Sequence, residues 1–254
     1  MADARREPGL ARALRRAAVD LYYHTIRLVP ANLAWGAALV LILVLALGGA
    51  WPGALLASPL LALALVGIAR LAGLIVRGRE VVLSDAWDAA RELARPAVVV
   101  GLLSVAGSLV LGTNILVGLA TGTPVGLLLA VLAAWGLVAL WLTSLPFWVL
   151  LADPARTGWS AAEVLRLTGL LLLARPLTLV GLGLATAVVL VVSAVLVAVL
   201  LVVSVAYAAL VTAHVILPVA DGLSASSTNF PALPLEPPVM EPSAPDPPQE
   251  TETR

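Results

Sequence analysis

The chain has 254 residues, 61% of them hydrophobic and only 12% charged, with a mean hydropathy of +1.04. Soluble domains carry about 25% charge, so the composition excludes an ordinary soluble globular protein. The net charge of zero conceals a division: residues 1–220 hold fourteen arginines against nine acids (+5), and 221–254 hold six acids against one arginine (−5). The lack of cysteine excludes disulfides, thiolate metal sites and thiol chemistry.

Residues 1–30 are a basic segment. Within 10–27, Leu10, Leu14, Ala17, Ala18 and Leu21 are spaced for one helical face, with Arg12, Arg15 and Arg16 mainly opposite. Two readings fit: an amphipathic helix lying on the membrane surface, or a cytosolic start to the first spanning helix. The long, partly acidic start and the length of the following apolar run argue against a signal peptide.

Residues 31–220 form the predicted membrane domain. A hydrocarbon core about 30 Å thick needs roughly 20 apolar residues per helical pass. Passes are predicted at about 31–47, 53–76, 96–120, 125–151, 176–195 and 199–220. Gly48, Gly49 and Pro52 turn the chain after the first, beside an interfacial Trp51, and Gly122 and Pro124 turn it after the third. Between the second and third passes, Ser84 or Asp85 can cap a short helix that pairs Asp88 with Arg91. Asp153 and Pro154 end the fourth pass. The apolar run 176–220 is the ambiguous element: as one straight helix it would be about 67 Å long. Two passes meeting near 193–199 avoid that overhang, although no glycine or proline marks the turn. Residues 221–254 are proline-rich and acidic, and read as a disordered tail.

All basic residues are arginine, and they alternate. Six precede the first pass, five lie between Arg70 and Arg95, and three between Arg156 and Arg175. The turns near residues 48–52 and 121–124 carry no charge. This is the positive-inside pattern of a cell-membrane protein with both termini cytoplasmic. The predicted fold is an all-α integral membrane protein, a six-helix bundle of three hairpins. Two stretches also share a layout: Trp87, Arg91, Arg95-Pro96, Leu145-Pro146 and Asp153 run in the same order as Trp159, Arg166, Arg175-Pro176, Leu217-Pro218 and Asp221.

Ionisable groups within the passes are few. Arg70 lies about six residues before the end of pass two, where it can snorkel, pair or bind a ligand. His214 lies towards the cytoplasmic end of the last pass with no acidic neighbour in sequence, and His24 is too distant to share a metal. Asn32 and Asn114 are the amides able to bond across helices. No spacing matches a phosphate loop, a catalytic triad or a metal site, so no enzyme activity, catalytic residue, cofactor or metal is expected. The charged surface of Arg77, Arg79, Asp85, Trp87, Asp88 and Arg91 is the candidate interaction face.

The stretch 28–35 (LVPANLAW), then Ala57-Ser58-Pro59, Arg70, Arg77-Gly78-Arg79-Glu80 and the segment 84–95 resemble the YesL-like membrane proteins, the domain of unknown function 624. Trp87 stands where that family has a Phe-type pair, and Ser58-Pro59-Leu60 where it has Gly-Pro-Ala. The resemblance covers residues 20–150 and implies an accessory role near carbohydrate uptake, without catalytic residues. The expected partners are membrane lipids and an integral membrane protein, such as an ABC-type transporter, and no nucleic acid. The competing expectation is a small-solute permease or channel.

Overall fold

The computed structural model describes residues 9–196 and 200–228, and among these every regular element is helical. In chain order they are α1 (Leu10–Tyr23), α2 (Thr25–Leu47), α3 (Trp51–Ala57), α4 (Pro59–Val76), α5 (Leu83–Glu92), α6 (Ala94–Thr121), α7 (Pro124–Leu151), α8 (Ala161–Ala174), α9 (Pro176–Val195) and α10 (Val205–Thr228). A 3-10 turn at Pro154–Arg156 precedes α8, and a π turn at Leu200–Ser204 precedes α10. Six helices, counting α3 and α4 as one, are long and apolar enough to cross a membrane. The chain is an all-α membrane bundle.

Local chemistry explains most boundaries. Gly122 takes φ +62°, a left-handed conformation open to glycine at little cost. Thr123 then caps α7, its hydroxyl oxygen accepting the Gly126 N–H at 3.1 Å, and Pro124 supplies a preset first turn. The second predicted pass is interrupted at Ser58, because Pro59 has no N–H to continue the ladder; the Ser58 hydroxyl donates to the Leu55 carbonyl at 2.8 Å. The first pass begins earlier than hydropathy places it, at Thr25, and carries Pro30 inside the helix.

The 176–220 run is divided between two helices, α9 and α10, each long and apolar enough to span, with residues 197–199 outside the described residues. A π turn takes the backbone out of ordinary i→i−4 pairing. At that junction the fully buried Asn32 of α2 accepts the Ala206 N–H through Oδ1, at 2.8 Å. A side chain 174 positions away thus takes part in the junction, where sequence offered neither glycine nor proline.

With α10, α4 is one of the two most buried helices of the bundle. Ten of its residues are buried, and small side chains let its neighbours approach. A Cβ on Gly67 would lie 2.9 Å from the Ala86 carbonyl oxygen of α5, and one on Gly101 of α6 would lie 2.7 Å from the Ala62 Cβ. α1 is a helix separate from the first span. It buries Ala13 and Ala17 completely, while Ala18, expected on the same face, is exposed beside Arg12, Arg15 and Arg16.

The chain divides into two units, 1–220 and 221–254. In the second, helix continues through Thr228, past the point where composition turns proline-rich; the rest of the predicted tail, 229–254, lies outside the described residues.

Candidate functional site: an ion cluster between α4, α5 and the α7–α8 turn

The turn after α7 packs beneath α4, where a Cβ on Gly73 would meet the Pro154 ring at an ordinary 3.6 Å. This closeness brings five charged side chains together. Arg70 of α4 donates through Nη2 to Glu92 Oε2 at 2.7 Å and through Nη1 to the Ala152 carbonyl at 3.1 Å. Ala152 caps α7, so the guanidinium satisfies a helix-terminal carbonyl at the negative end of the helix dipole. Arg70 is therefore paired, with its side chain 13% exposed.

Asp153 is the hub. Its side chain is fully buried. Arg77 grips it with two parallel bonds, Nε to Oδ1 at 2.7 Å and Nη2 to Oδ2 at 2.6 Å. Arg156 donates to Oδ2 from three residues on, and the Ala155 N–H donates to Oδ1 at 3.1 Å. Such a fork fixes direction as well as distance, a geometry open to arginine and closed to lysine. With its oxygens occupied by guanidinium donors, Asp153 is placed as a structural anchor rather than a general base.

The candidate interaction face is only partly a free surface. Arg77 faces inward to Asp153, whereas Arg79, Trp87, Asp88 and Arg91 are exposed. The Asp88–Arg91 pairing expected from spacing gives way to a stack of the Arg91 guanidinium on the Trp87 ring, 4.9 Å from its centroid. α5 begins at Leu83, so neither Ser84 nor Asp85 is its N-cap. Asp85 instead reaches back from the first turn to accept the Val82 N–H at 2.8 Å.

His214 has the acidic partner that its sequence neighbours do not provide. Its Nε2 lies 2.6 Å from Asp20 Oδ2 of α1, 194 positions away. The Tyr207 hydroxyl donates to the Leu14 carbonyl at 3.2 Å. The contacts advance together along both helices, so α1 runs parallel to this part of α10. Asn114 is exposed on α6, and His24 lies 3.4 Å from Arg27. The two proposed repeats diverge here: Asp153 is a buried hub and Asp221 is exposed.

Sequence reasoning missed Asp153, Arg156, Asp20 and Glu92. One signal was available: Asp153 is the single acid between Glu92 and Glu163, with an arginine three residues on. Among the described residues, no group of three His, Cys, Asp or Glu is placed to hold a metal ion. Comparison with family models, with curated proteins and with solved structures returned no match.

Proposed function

We propose that this protein is a non-enzymatic accessory or assembly subunit of a membrane transport system, in the cell membrane with both termini cytoplasmic. The observation that carries this reading is the ion cluster. Its arginines and carboxylates bond one another, fixing α4, α5 and the α7–α8 turn, while Trp87, Asp88 and Arg91 remain exposed beside it. A rigid support under an exposed aromatic and charged face suits docking of another protein better than passage of a solute. The resemblance to YesL-like proteins points the same way, towards carbohydrate uptake. A permease would need groups to replace a solute's hydration shell, and Arg70, His214 and Asn32 are already bonded to protein.

Photo-crosslinking from position 87 in native membranes, followed by mass spectrometry, is expected to recover one reproducible integral membrane partner. Recovery of this chain alone would refute the assembly reading. Solute flux in liposomes that disappears in a folded Arg70→Ala variant would establish the permease. The absence of native cysteine makes orientation easy to measure. A cysteine at Ala50 should react with an impermeant reagent from outside, and one at Arg79 only after permeabilisation; the reverse pattern would invert the topology.

A further inference from the structure

Among α2, α4, α7, α9 and α10 lies a cavity of ≈ 170 Å³, with Trp35, Leu65, Trp141, Trp148, Leu190 and Thr212 among its walls. We propose that it is a binding site for the hydrocarbon chain of a bilayer lipid. This is independent of the assembly reading, since it concerns the interior of the bundle and not its cytoplasmic face.

The argument begins with what the cavity cannot hold well. Its walls are overwhelmingly apolar, and the hydroxyl protons present are used internally: Ser144 donates to the Trp141 carbonyl and Thr212 to the Ala208 carbonyl, both at 2.8 Å. The Trp141 indole N–H is buried without an acceptor. A buried water needs two to four polar partners, and an apolar cavity of about 150 Å³ stays dry yet accepts benzene. The size and chemistry here therefore select a slender apolar guest over water or a sugar.

The surroundings select which guest. Trp35, Trp141 and Leu190 are half-buried wall residues, and all three lie within helices apolar enough to span a membrane. What meets the cavity at those positions is hydrocarbon, so the acyl chain of a neighbouring lipid enters without crossing a polar barrier. Indole rings provide large, rigid contact surfaces at low entropic cost, and three of the seven tryptophans of the chain line this one space. Trp148 is only 9% exposed, so hydrocarbon reaches it through the cavity.

The test uses the full chain in phosphatidylcholine vesicles whose acyl chains are plain or brominated at mid-chain, since bromine quenches indole emission on contact. Subtracting the emission of a Trp148→Phe variant isolates the Trp148 contribution, which is expected to be quenched in brominated vesicles. Ala209→Leu and Leu65→Phe fill the cavity from two different helices and should abolish that quenching. Val131→Leu, on an exposed position of α7, should leave it unchanged. Circular dichroism verifies helicity, and if one filling variant misfolds the other decides. Trp148 emission that is equal in plain and brominated vesicles would overturn the proposal, as would unchanged quenching in a folded filling variant. Quenching by aqueous iodide in place of brominated lipid would make the cavity a water-filled one and overturn it equally.

Discussion

The second and third spans look alike in composition and behave oppositely in the fold. Their mean hydropathies are 2.2 for Trp51–Val76 and 2.0 for Ala94–Thr121, yet burial is far greater in the second than in the third. In α4 ten of 18 residues are buried, in α6 three of 28. The C-terminal half of α6 meets α7 through Gly118, where an added Cβ would collide with the Gly126 carbonyl oxygen, and otherwise exposes Leu116, Val117 and Leu119. In a bilayer, lipid tails are as apolar as leucine, so hydrophobicity brings a segment into the membrane without choosing its neighbours. Close backbone approach and polar anchors choose them. α4 has both: Gly67 for the approach, Arg70 and the C-cap Arg77 for the anchors.

The comparison breaks most readily at its anchor. Replacing Asp153 by Asn removes the carboxylate shared by Arg77 and Arg156 and should destabilise the bundle by about 3–5 kcal/mol. Thermal unfolding in detergent micelles measures this, and an unchanged midpoint would deny the cluster its structural role. Next in size is the glycine contrast. Gly67→Ala drives a Cβ against the Ala86 carbonyl and should cost about 1–3 kcal/mol. Gly112→Ala on α6 meets open space and should stay within about 0.5 kcal/mol of wild type. Equal losses at the two sites would erase the distinction between central and peripheral spans.

Asn32→Leu removes the acceptor of the Ala206 N–H from a fully buried site and should cost about 1–3 kcal/mol, nearer the lower figure if the π turn relaxes. Hydrogen exchange should localise that loss to the α9–α10 junction. Uniform loss across the bundle would instead mean a packing defect.

The smallest effect lies outside the spans. Glu163 accepts the Ser160 N–H and hydroxyl in a capping box, and these bonds hold its carboxyl below the usual value. A depressed folded pKa contributes stability above the unfolded value and loses it as pH falls through the folded one. The N-terminus of α8 should therefore fray first on acidification, seen as a lower protection factor at the Val164 amide, which donates to the Ser160 carbonyl, and Glu163→Gln should remove the pH dependence while leaving α4 untouched.

The six spans were legible because each carries its signal locally. A run of apolar residues must satisfy its own backbone in hydrocarbon, and helix is the open answer for a single segment. The turn at residues 121–124 was legible for the same reason, since Gly122, Thr123 and Pro124 act on their own backbone. What sequence order hid was every pairing between distant elements: Asn32 with Ala206, Asp20 with His214, Arg77 with Asp153. Periodicity reports which face of a helix is apolar, and says nothing of which other helix will lie against it. Hydropathy alone therefore determined that this chain is a helical membrane protein and where most of its passes lie. Only tertiary packing decided that α4 is buried where α6 is not, that Arg70 is paired, and that three indoles surround one cavity, because each depends on side chains brought within a few ångströms by parts of the chain far apart in sequence.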